Sequence, residues 1–142
     1  VVVANLDELI KKISRTKTFD DLNQRVFNTI HVEVEQRIFD KGQDSDGRQI
    51  GTYSPGYKKE RARKNYPSSS KVILQATNQM VNDFKFLVLK SGKKYGSGFS
   101  NMINFKKSEW VEDTYKKAIF KLTNKENKRI EEVMDKELEK LF

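Results

Sequence analysis

Branched apolar residues stand at every fourth position from Leu22 through Val26, Ile30 and Val34 to Ile38. Residues four apart share one face of an α-helix, so this row predicts a helix over 19–39. A strict i+4 row drifts around the axis, and Phe27 and Phe39 flank it. The buried face is therefore broad and wrapped, and needs partners on more than one side. Thr18, followed by Asp20 and Asp21, reads as its N-cap. Leu6, Leu9, Ile10 and Ile13 form a shorter stripe upstream, which predicts a separate N-terminal helical segment within residues 1–18.

Further along, Phe84, Phe86 and Val88 alternate with Lys85, Leu87 and Leu89. This is a strand pattern, and Tyr95–Phe99 reads as its return strand in a hairpin over 84–99. Thr77–Asp83 predicts a helical turn before it. Ser108 reads as the cap of a helix starting near Glu109. Thr123-Asn124-Lys125-Glu126 is a capping-box sequence that opens a last helix carrying Ile130, Val133, Met134, Leu138 and Leu141. The whole reads as a single α+β domain over 1–142: a long N-terminal helix and C-terminal helices packed on a small antiparallel hairpin, with a long basic loop.

That loop is the segment 40–70, which holds the turn signals Asp46-Gly47, Ser54-Pro55-Gly56 and Pro67-Ser68. It is expected to lack regular structure and to stay unsatisfied until another molecule covers it. From Lys41 to Lys71 it carries eight Lys or Arg against Asp44, Asp46 and Glu60, a net +5, within a chain of net charge +8. Lys58, Lys59, Arg61, Arg63 and Lys64, with Tyr53, Tyr57 and Tyr66 around them, are the expected contacts to a partner. An acidic protein surface and the phosphates of a nucleic acid both fit that charge, and tyrosines among cations can stack on unpaired bases. No zinc-finger or RNP signature supports the nucleic-acid reading, which stands as the alternative: a small basic nucleic-acid-binding protein.

Chemistry has little to draw on. There is no Cys and a single His, His31, so thiolate and His-rich metal sites are excluded. An EF-hand reading of Asp44-Ser45-Asp46-Gly47 would put Gly42 at the first position and Tyr53 at the twelfth, where a Glu is needed. The segment reads as an Asx turn instead. The glycines match neither GxGxxG nor GxxxxGK[ST], and no serine stands in a nucleophile motif. The expectation is a protein that is not an enzyme, with no cofactor and no metal. No long apolar run or leader is legible, so no membrane role is expected.

The order of these segments resembles the bacteriophage virion-morphogenesis, tail-completion and neck-protein family over roughly residues 20–140. Asp46-Gly47, Ile50, Tyr53-Ser54 and Tyr57 match its first element. Leu74, Thr77-Asn78 and Met80 match the second, with Asn78 where Gly is usual; Asn tolerates the left-handed conformation. Phe120, Leu122-Thr123 and Glu126 match the third, with Lys117-Ala118-Ile119 in place of the usual Pro-Ala-Arg. The resemblance implies a structural virion protein of the tail or neck, assembled in the bacterial cytoplasm. It implies a homo-oligomeric ring, hexamer or dodecamer, joined to connector, portal or tail-tube proteins and in reach of packaged DNA.

Overall fold

A computed structural model describes residues 18–89 and 94–140. The predicted segment at 6–14 lies outside the described residues. Helix α1 (Thr18–Glu35) continues into a π-turn, Gln36–Asp40. The π-turn accounts for three successive buried residues, Arg37, Ile38 and Phe39. One residue more per turn brings all three to the inner side, where a regular helix would send one out. Then follow α2 (Pro55–Arg63), α3 (Gln79–Asp83), β1 (Phe84–Leu89), β2 (Lys94–Phe99), α4 (Met102–Tyr115) and α5 (Asn124–Glu139).

The wrapped apolar row of α1 is covered from two sides. On one side α5 runs antiparallel to it, tied by Arg25–Glu137 (3.6 Å), Glu33–Arg129 (3.0 Å) and Arg37–Glu126 (2.9 Å). On the other lies the antiparallel hairpin, in which Phe84 faces Phe99 and Phe86 faces Ser97. Phe27 stacks on Tyr95 and His31 stacks on Phe84, each at 5.2 Å between ring centres. The centre of the core joins Ile30, Val34, Ile38 and Phe39 to Ile50, Tyr53, Val72, Phe84 and Ile119. The domain is α+β, as its patterns predict.

Residues 40–70 differ from expectation. The segment is folded back on its own domain. Isolated bridges pair Gln43 with Gln49 and Thr52 with Lys71, and the buried Ile50 and Tyr53 anchor it. Asp44 Oδ1 accepts from the amides of Asp46 and Arg48, the expected Asx turn. Ser54-Pro55-Gly56 is a helix start, not a turn: the Ser54 hydroxyl accepts from the Tyr57 amide at 3.2 Å and Pro55 sits in the first turn, where its missing N–H costs nothing.

Gly42 lets this fold-back occur. Its φ is +63°, and a Cβ there would stand 2.1 Å from the Val72 carbonyl oxygen. Gly42→Ala is expected to lose roughly 2–3 kcal/mol in urea denaturation, because backbone must move as well as φ. A Gly47→Ala control is expected to lose less. Its φ is +76°, but nothing lies within 4 Å of a Cβ there.

The start of α4 also corrects the sequence reading. Asn101 caps it at Met102, and Ser108 lies inside the helix, buried, its hydroxyl donating to the Phe105 carbonyl. Asp83 explains the earlier start. It accepts from the Ser100 hydroxyl, the Asn101 amide and the Asn104 side chain, and these donors, the Ser100 hydroxyl first, hold its carboxyl down at about 2. A fixed anion thus stands at the positive end of the helix. The Thr123–Glu126 capping box at the start of α5 forms in full.

Candidate interaction surface

The expected contacts of the basic segment divide into an inner and an outer set. Arg61, on the inner side of α2, is 3% exposed. Its guanidinium lies over the Tyr53 ring at 4.5 Å and within 5.9 Å of the rings of Tyr57 and Tyr66. It donates to the carbonyls of Pro67 and Gln75. Tyr53 is buried beside it and Tyr66 is half-buried. Arg61 and Tyr53 therefore hold α2 in place and are withdrawn from the set of partner contacts. An Arg in a basic run reads as surface until its three tyrosine neighbours are seen to form a cage.

Lys58, Lys59, Arg63 and Lys64 remain exposed, with Tyr57 at the edge. Glu60 pairs with Lys64 at 2.9 Å and with Arg63 at 3.7 Å. These contacts lower the Glu60 pKa and, through the same bond, raise that of Lys64. Among the described residues Lys58 and Lys59 form no ion pair. The outer face of α2 is a cationic ridge with part of its charge uncompensated.

Helix α4 carries a feature that periodicity alone does not reveal. Its inward row is Asn104, Ser108, Val111 and Tyr115, half of it polar. Its larger apolar residues point outward: Met102 is 67% exposed, Ile103 59%, Phe105 47% and Trp110 62%. Ile103 and Trp110, seven apart, share one side of the helix, with Lys106 between them. Four large apolar side chains therefore stand at the surface of one helix, with Phe105 roughly 160° around the axis from Ile103 and Lys106, Glu109 and Asp113 between them. The sequence alone starts this helix near Glu109, so it gives Met102 and Phe105 no helical face. The inward polar pair at Asn104 and Ser108 is the signal that could have shown that these apolar residues face out.

A cleft of about 940 Å³ opens between the end of α1 and the start of α5, rimmed by Lys41, Lys121, Lys125 and Lys128. Arg37 forms part of its lining. Its Nε bonds both Glu126 carboxylate oxygens, at 3.2 and 2.9 Å. Its terminal nitrogens donate to the carbonyls of Gln43, Asp44, Ile119 and Lys121. Each of its three nitrogens is used structurally, joining the 41–50 segment, the 116–123 segment and α5.

His31 is buried, with Nδ1 at 2.8 Å from the Ser97 hydroxyl and Nε2 at 3.6 Å from Glu35. Burial lowers its pKa, and the Glu35 charge opposes this more weakly. A folded-state pKa below the unfolded value means that the unfolded chain binds the proton more tightly. The His31 contribution is thus complete above about pH 6.5 and is lost as pH falls through the lowered folded value. Urea denaturation at about pH 7.5 and about pH 5 is expected to show a smaller loss in His31→Gln than in the unsubstituted protein.

Among the described residues no group of three or more His, Asp or Glu is placed to hold a metal ion, and no helix is long and apolar enough to cross a membrane. No protein-family model matches the chain, and no curated protein or solved structure does.

Proposed function

We propose that this chain is a non-catalytic assembly subunit, a structural component of a tailed-phage particle that completes the tail or joins it to the head. Copies contact one another as a ring and dock on connector, portal or tail-tube proteins. The observation that carries the assembly reading is that α4 turns large apolar side chains to solvent, Met102, Ile103 and Trp110 each being more exposed than buried. A helix that turns its largest apolar groups to solvent gains free energy when another protein covers them. The cationic ridge of α2 supplies a second contact that steers an acidic surface into register. The station in a virion rests on the sequence resemblance carried by Asp46-Gly47, Tyr53-Ser54, Thr77-Asn78 and Leu122-Thr123.

Reversal of charge on the ridge tests the proposal. Lys58→Glu, Lys59→Glu and Arg63→Glu together are expected to leave the isolated fold intact, since all three side chains are exposed. Arg61 is left unchanged because it is interior. The triple variant is expected to cut the yield of infectious particles at least about tenfold, the equivalent of about 1.4 kcal/mol at the contact. Normal yield from a folded triple variant would remove the ridge from the assembly contacts.

A further inference from the structure

The cleft between the end of α1 and the start of α5 is concave and cationic. Lys41, Lys121, Lys125 and Lys128 rim it, all four exposed. Its acids are largely spent: Glu33 and Glu132 pair with Arg129, and Glu126 with Arg37, which leaves Asp46. An apolar side chain, Leu122, lines the cleft beside these lysines and is 40% exposed. The outer side of α4 has the opposite character. Glu109 and Asp113, both exposed and four apart, flank Trp110. By helical position Met102 and Ile103 share this side, and Lys106 is its one cation. Among the described residues none of the four lysines forms an ion pair, and neither do Glu109 and Asp113. The two surfaces are complementary, and within one chain they leave each other unsatisfied.

We propose that α4 of one copy docks in this cleft of a second copy, with Trp110 entering beside Leu122 and with Glu109 and Asp113 facing the lysines. The inference rests on the assembly reading and names the two surfaces that meet. A second copy is the occupant because it carries the chemistry the cleft lacks: a large apolar anchor with a carboxylate on either side. A two-fold axis through either surface would set like charges together, lysine against lysine or acid against acid. A contact between two different surfaces instead runs head to tail, and it closes into a ring where the rotation permits.

Sedimentation velocity of two charge-reversed variants, alone and mixed, tests this pairing. Lys121→Glu, Lys125→Glu and Lys128→Glu reverse the cleft; Glu109→Lys and Asp113→Lys reverse α4. All these side chains are exposed, so the urea midpoints are expected to stay near that of the unsubstituted protein. Each variant alone sets like charges face to face and is expected to associate at least about a hundredfold more weakly. In an equimolar mixture each reversed α4 meets a reversed cleft and each natural α4 a natural cleft, so the large species is expected to return. If either reversal unfolds the chain, Lys125→Gln with Lys128→Gln decides, with a loss of about tenfold expected. A cleft variant that associates as tightly as the unsubstituted protein, or a mixture no larger than its parts, overturns the pairing and leaves the assembly reading standing. An unsubstituted protein that stays a single chain at every concentration removes the assembly reading itself, and the pairing with it.

Discussion

Arg37→Met is expected to cost about 3–5 kcal/mol, the penalty of removing one member of a buried ion pair. Set against the roughly 5–15 kcal/mol that stabilises a typical domain, that loss moves the urea midpoint far down or unfolds the chain. The size follows from what the substitution leaves behind. Glu126 is 6% exposed and would keep its charge with no cation beside it. Four carbonyls on the 43–44 and 119–121 segments would lose the guanidinium at once, with only those of Asp44 and Lys121 keeping a second donor, the Gly47 amide and the Ser45 hydroxyl. Methionine fills much of the volume, so the loss reports electrostatics and hydrogen bonding more than a cavity. Adding Glu126→Gln to Arg37→Met is expected to recover part of the loss: it removes the stranded charge and leaves an amide oxygen to accept from the Thr123 amide, as Glu126 Oε1 now does at 3.0 Å. Equal midpoints for Arg37→Met and the unsubstituted protein would show that the pair and its carbonyl bonds contribute nothing net.

Ile103→Asp with Trp110→Asp is expected to leave stability within about 1 kcal/mol of the unsubstituted value, since both side chains are more exposed than buried. The same pair is expected to weaken self-association at least about a hundredfold. Buried interface anchors typically contribute about 2 kcal/mol or more each, and Trp is the most frequent of them. A carboxylate in their place adds the cost of burying a charge. This separation of effects, small on the fold and large on assembly, distinguishes an interface helix from a core helix. Loss of fold in this variant would place Ile103 and Trp110 in the core.

Much of the architecture was legible because periodicity and capping chemistry are local. The i+4 row of Leu22 to Ile38 predicted α1, alternation at Phe84 to Val88 predicted the hairpin, and Thr123 with Glu126 predicted the start of α5. Asn78 takes a left-handed backbone (φ 62°), a conformation that Asn tolerates better than most residues. The π-turn that buries Arg37, Ile38 and Phe39 together was not legible, because no residue pattern encodes one extra residue per turn. The fold-back of 40–70 was missed because its causes are long-range: Gly42 under Val72, Arg61 reaching Pro67 and Gln75, and Arg37 reaching loops on both sides. Composition marks such a stretch as polar and turn-rich. It does not tell whether the polar groups bond to water or to each other.

The interaction surface was legible in half. The exposed cations of α2 stand in an obvious run, but the same run hides Arg61, whose role depends on three tyrosines brought around it. The apolar face of α4 was hidden for the opposite reason. Apolar residues at helical spacing are ordinarily core, and only the burial of Asn104, which donates to Asp83, and of Ser108 turns Ile103 and Trp110 outward.

Sedimentation velocity of the purified protein at micromolar concentration tests the assembly account most directly. The account predicts a species several times the 16.6 kDa of one chain, reduced to a single-chain species by Ile103→Asp with Trp110→Asp. A single 16.6 kDa species at every concentration, with the double variant sedimenting identically, would contradict it.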